Sequence, residues 1–145
     1  MIDTISWNAE TSSWEGEANL VPGSPIRFSL VDEEKWATTS PASLLEIATA
    51  FLQWAGTFEP HCRERIADNL LRVYNEAWAD DDPDEGPPPC TRPEFIAALQ
   101  LDSISLDESG SSSWIYKCGD LFAGHAISLM LNADHSFLGK ARLWG

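Results

Sequence analysis

The chain has 145 residues, with nine Lys and Arg against 23 Asp and Glu, for a formal net charge of −14. That length fits one domain of the usual roughly 100–200 residues, and apolar residues at 43% allow a sizeable core without disulfides or metal. The acid excess argues against direct binding to nucleic acid or to an anionic membrane, which need clustered cations. The one arginine cluster, Arg63, Arg65 and Arg72, is offset by Glu64, Asp68 and Glu76 on the same segment.

The chain begins with short strand-like runs, Ile2 to Trp7 and Trp14 to Leu20. The second alternates Trp14, Gly16, Ala18 and Leu20 with Glu15, Glu17 and Asn19. A period of two is the signature of a half-exposed strand. The segment VPGSP at Val21 to Pro25 reads as a turn. A third strand follows, with Ile26, Phe28 and Leu30 on one face.

Ser40 before Pro41 predicts an N-cap with Pro at the first helical position. That helix is expected to run to about Ala55 and to stop at Gly56. Its apolar residues, from Leu44 to Trp54, lie nearly all round it, as in a helix buried against a sheet. Glu46, Thr49 and Gln53 interrupt the run, which is shorter than the roughly 18 residues a membrane span needs. Pro60 is expected to open a second helix reaching about Trp78, with Ile66, Leu70, Val73, Tyr74 and Ala77 at helical spacing.

Ala79 to Pro89 reads ADDDPDEGPPP, and its proline density predicts an exposed acidic loop. Thr91 and Glu94 then form a T-x-x-E capping box for a short third helix through about Leu99. The last third reads as strands at Ser103 to Asp107, Ser113 to Cys118, Ala126 to Leu131 and Phe137 to Leu143. Strands, then helices, then strands predict a single α+β domain, with a largely antiparallel sheet packed with two to three helices.

The chemistry-bearing residues do not assemble into a known catalytic pattern. Asp80, Asp82 and Asp84 have the alternate spacing of a calcium loop. Such a loop needs Gly at its sixth position and Glu at its twelfth, and those positions are Glu85 and Thr91. Cys118, Asp120 and His125 lie within eight residues, yet no glycine-rich elbow or oxyanion-hole signature accompanies them. His61 with Cys62 and Asp134 with His135 lack metal-ligand spacing, so no metal and no cofactor are expected. The odd set Cys62, Cys90 and Cys118 contains no CxxC. Met1 to Ser6 has neither a basic stretch nor an apolar one, so no secretory signal is expected. Reduced thiols in the cytoplasm are the reading that follows. Of the seven tryptophans, Trp54, Trp78 and Trp114 fall in apolar patterns and are expected in the core. Trp14 and Trp36 flank acids and are candidate interface anchors.

The tail from Ile115 to Gly145 resembles the C-terminal segment of a group of small bacterial proteins with a Gly-Asp, Phe, Gly-His, strand, closing-strand pattern. Here these are Gly119, Asp120, Phe122, Gly124, His125, Ala141, Leu143 and Gly145. In size and acidity the whole chain is similar to the immunity proteins of polymorphic toxin and contact-dependent growth inhibition systems. The resemblance implies a protein that is not an enzyme and has no catalytic residues to carry over. It would bind a cognate basic toxin, expected to be a nuclease domain, as a monomer in a 1:1 complex and cover its active or substrate-binding surface.

The carboxylates expected to steer that partner are Asp32, Glu33 and Glu34 after the third strand, Asp80, Asp81, Asp82, Asp84 and Glu85 in the proline-rich loop, and Asp107 and Glu108 in a hairpin. Two alternatives stay open at this level: a small cysteine- or metal-dependent hydrolase, and an unrelated intracellular adaptor.

Overall fold

A computed structural model describes residues 2, 4–21, 24–31, 36 and 38–144. Among the described residues, a mostly antiparallel sheet with two helices packed on it makes an α+β fold. The strands, in spatial as well as chain order, are β1 (Ser6–Asn8), β2 (Ser13–Val21), β3 (Ser24–Val31), β4 (Gln100–Leu106), β5 (Ser112–Lys117), β6 (Ala126–Leu131) and β7 (Arg142–Trp144). Neighbours are antiparallel except β3 and β4, which are parallel and carry both helices in their connection. A parallel pair needs such a long crossover, whereas the other pairs close through turns.

Alternation sorts the two faces. Ala18, Ile26, Phe28, Leu30, Ile104, Trp114, Tyr116, Ile127 and Leu129 point to the helices and are buried. Glu15, Arg27, Ser29, Ser105, Ser113 and Ser128 take the opposite face, half-buried or exposed. Gly16 is required on β2. A Cβ there would lie 2.6 Å from both Ile2 Cδ1 and the Thr4 carbonyl oxygen, so only glycine lets the N-terminal segment cross the strand.

The two long helices predicted from the sequence are one. Helix α1 runs Pro41–Val73, straight through Gly56 and Pro60, and ends in a π-helical turn at Tyr74–Trp78. Proline within a helix removes one hydrogen bond and crowds the carbonyl four residues back, at about 3 kcal/mol. The offset lies in the buried stripe Leu44, Ala48, Leu52, Ala55, Glu59, Cys62, Ile66 and Leu70, which keeps its three-and-four spacing across both breakers. The helix lies across the strands. Phe51 packs on Phe28 of β3 and Trp54 on Trp114 of β5, while Asn69 accepts the Ala141 N–H next to β7.

Both predicted caps are present. Ser40 Oγ accepts from Ser43 N at 3.2 Å, and Thr91 with Glu94 forms the capping box of α2 (Arg92–Ala98). The predicted strand from Phe137 to Leu143 is reduced to an isolated Phe137–Leu131 bridge and the three residues of β7. The chain turns at Gly139, whose φ is +70°. The Gly139 carbonyl and the Ala141 N–H bond to Arg65 and Asn69 of α1 instead of to a strand. The predicted strand at Ile2 to Trp7 likewise shortens to β1 and an Ile2–Ala18 bridge.

Candidate functional site

Two groups of carboxylates differ in their surroundings. The first lies on the helices and the sheet and takes most of the cations. Arg72 bonds Glu76, Arg92 bonds Glu64 and Asp68, and Arg27 and Lys117 share Asp102. The innermost pair is Glu59, only 5% exposed, with Arg63 Nε donating to its Oε1 at 2.6 Å. Arg63 Nη1 also donates to the Ile96 and Leu99 carbonyls, at 3.1 and 2.5 Å, which satisfies the C-terminal end of α2. The Tyr116 hydroxyl donates to the same Glu59 oxygen at 3.3 Å.

The second group sits on loops. Asp80 Oδ1 accepts from Asp82 N at 2.9 Å and Asp82 Oδ1 from Asp84 N at 3.0 Å, so the proline-rich loop is shaped by its own aspartates. In the β4–β5 hairpin, Asp107 Oδ1 accepts from the backbone of Ser109 and Ser111 around Gly110. Among the described residues no cation pairs with Asp80, Asp81, Asp82, Asp84, Glu85, Asp107 or Glu108. Asp81, Asp82, Asp84 and Glu85 are exposed, whereas Asp80, Asp107 and Glu108 are half-buried. The expected cluster Asp32, Glu33 and Glu34 lies outside the described residues.

The tryptophan anchors are placed differently from expectation. Trp36 is 3% exposed and belongs to the core, so it presents no ring to a partner. Trp14 is half-buried on the inner face of β2, edge-on to Trp7 at 5.7 Å. The exposed member of that pair is Trp7, at 47%. Its run showed no alternation to mark which face it would take.

The thiols and histidines sit apart from one another chemically. Cys118 Sγ donates to the His125 carbonyl at 3.5 Å, while the His125 ring packs on Trp78. Burial raises the Cys118 thiol pKa, and burial together with the Glu59 charge pushes Cys62 up to about 12. Neither is an activated thiolate. The His135 ring lies tilted against Trp54, with centroids 3.6 Å apart, and His61 lies against Phe58. Among the described residues no group of three or more His, Cys, Asp or Glu is placed to hold a metal ion, and no helix is long and apolar enough to cross a membrane.

The tail motif is explained by packing. Gly119 and Gly124 adopt φ of +59° and +82°, which brackets a tight turn. The turn drives Phe122, fully buried, into a ring cluster with Tyr74, Trp78 and Phe95. Ala141 is buried as well, and Gly145 lies outside the described residues.

Sequence reasoning missed the Glu59–Arg63–Tyr116 group, which borders a cavity of about 340 Å³. The signal was present as Glu59 and Arg63 four residues apart, but it spans Pro60, where a helix start was expected. No curated protein and no solved structure matches this chain. A family model matches residues 1–141, so the chain belongs to the bacterial family described as uncharacterized protein conserved in bacteria (DUF2262).

Proposed function

We propose that this protein is a cytoplasmic immunity protein: it binds a basic protein toxin, a nuclease domain, and blocks it without chemistry of its own. The observation that supports this reading is the division of the carboxylates. Most of the described cations pair with acids on the helices and the sheet, and among the described residues the acids of the Asp80–Glu85 loop and the Asp107–Glu108 hairpin have no ion-pair partner. Toxins that cut nucleic acid carry cationic surfaces for phosphate. Shaped, uncompensated carboxylates attract such a surface over distances set by the ionic strength and occupy the positions of phosphates. The exposed Trp7, edge-on to the half-buried Trp14, offers apolar area to a partner. Asp32, Glu33 and Glu34 join this surface on the sequence argument alone.

The test is co-expression with the product of the adjacent gene, followed by stopped-flow association of the purified pair at two salt concentrations. Replacing Asp80, Asp81, Asp82 and Asp84 by Asn and Glu85 by Gln should slow association about tenfold at low salt, the scale of electrostatic steering. The gap should narrow as salt rises. Unchanged rates at both salts would remove the loop from the contact. Failure of the wild-type chain to protect cells from that product would remove the function.

A further inference from the structure

We propose that the cavity between α1, the C-terminal end of α2 and the ends of β2, β3 and β4 binds a small neutral ligand. The ligand carries a hydrogen-bond donor beside an acceptor on a flat apolar body, an edge shared by aromatic primary amides and nucleobases.

The cavity measures about 340 Å³, within the usual range for small-molecule sites. Leu20, Ile26, Ala98 and Leu101 give it apolar walls, and Glu59 and Arg63 reach it from α1. The polar pair is fixed before any ligand arrives. Arg63 is held through Nε and Nη1 by Glu59 and two carbonyls, and Glu59 by Arg63 and the Tyr116 hydroxyl. All of these bonds fall on one oxygen of Glu59 and two nitrogens of Arg63. Glu59 Oε2 and Arg63 Nη2 have no hydrogen-bond partner among the described residues, and both side chains line the cavity. The wall therefore presents one free acceptor and one free donor.

The charges of the pair cancel, so an ionic ligand gains little from them and pays its desolvation. A neutral edge with one N–H and one acceptor atom satisfies both free groups, and the apolar walls take the rest of the ring. Groups already held in place lose little further freedom on binding. A clamp whose only task is to fasten α2 to α1 needs neither the free pair of atoms nor the cavity beside them.

Amide NMR titration of the intact wild-type chain tests this with two matched pairs: nicotinamide against 3-acetylpyridine, and adenine against purine. Each pair differs by the donor that Glu59 would accept. At least one donor-bearing compound should bind tenfold or more tightly than its twin, with shifts confined to Ser24 and Ala98–Leu101. The pair that responds identifies the source as amide or nucleobase. Ala98→Phe, which puts a ring into the cavity from the end of α2, should abolish those shifts while the remaining spectrum stays folded. Equal response to both twins overturns the proposal. So does no response at millimolar concentration, shifts centred elsewhere, or a folded Ala98→Phe chain that still binds. The wild-type arms decide the matter even if that variant does not fold.

Discussion

The carboxylate of Glu59 and those of the Asp80–Glu85 loop are the same chemical group in opposite circumstances. Glu59 lies 5% exposed under Arg63 and Tyr116. Losing its partner would leave a charge in a low-dielectric core, which is expensive. Asp81, Asp82, Asp84 and Glu85 face water, Asp80 is half-buried, and among the described residues the loop carboxylates bond to the backbone of their own turn. Burial makes a carboxylate part of the fold, while exposure without a cation leaves it available to another molecule.

The largest break in this comparison is Arg63→Ala. Removing one partner of a buried pair typically destabilises by about 3–5 kcal/mol, and here two carbonyls of α2 also lose their donor. Urea denaturation should show that loss, with Arg63→Lys falling between Ala and wild type. A midpoint equal to wild type for Arg63→Ala would show that the pair contributes nothing to stability.

The pH profile should decline at both its acid and its alkaline end. Partial burial works against Asp102, but Arg27 and Lys117 hold its carboxyl below the ordinary range. The Thr91 N–H does the same for Glu94, and the Asn8 amide for Glu15. An acid that ionises more readily folded than unfolded stabilises above its unfolded pKa, near 4, and that stabilisation is lost as pH falls through the folded value. Thermal midpoints should therefore fall as pH drops below about 4. On the alkaline side stability should decline above about 8.5, because unfolding releases the Cys62 proton that the folded chain keeps to about 12.

Thr91→Ala should cost about 1 kcal/mol, the usual value for a lost cap, read as a lower urea midpoint. Smallest of all, neutralising the five loop acids should leave the thermal midpoint at pH 7 unchanged or slightly raised. Only the association rate should move. A clear drop in the midpoint would mean that the loop supports the fold and is not free for a partner.

Much of this architecture was legible in the chain. Ser40–Pro41 and Thr91–Glu94 announced their caps because capping is a local matter. The alternation of Ile26, Phe28 and Leu30 announced the inner face of β3. Gly56 and Pro60 misled, because local breakers were weighted above a stripe whose benefit appears only against the sheet. Trp36 misled because flanking acids suggest exposure, yet its ring is buried. The Arg63 carbonyl bonds reach from residue 63 to 96 and 99, beyond any local pattern. The free loop acids stood out as composition, and their lack of cations could be read only once the fold had placed the arginines.

The parallel junction of β3 and β4 bears on how the chain reaches this state. Ser29 and Ser105 meet across it although 76 residues separate them. The β1–β3 meander and the β4–β7 meander are each built from near neighbours and can form from local contacts. Joining them requires closure of the long loop that contains both helices, and such non-local pairing slows folding. Until then β3 and β4 are open edges, able to pair with strands of other chains. Refolding yield should therefore fall as protein concentration rises.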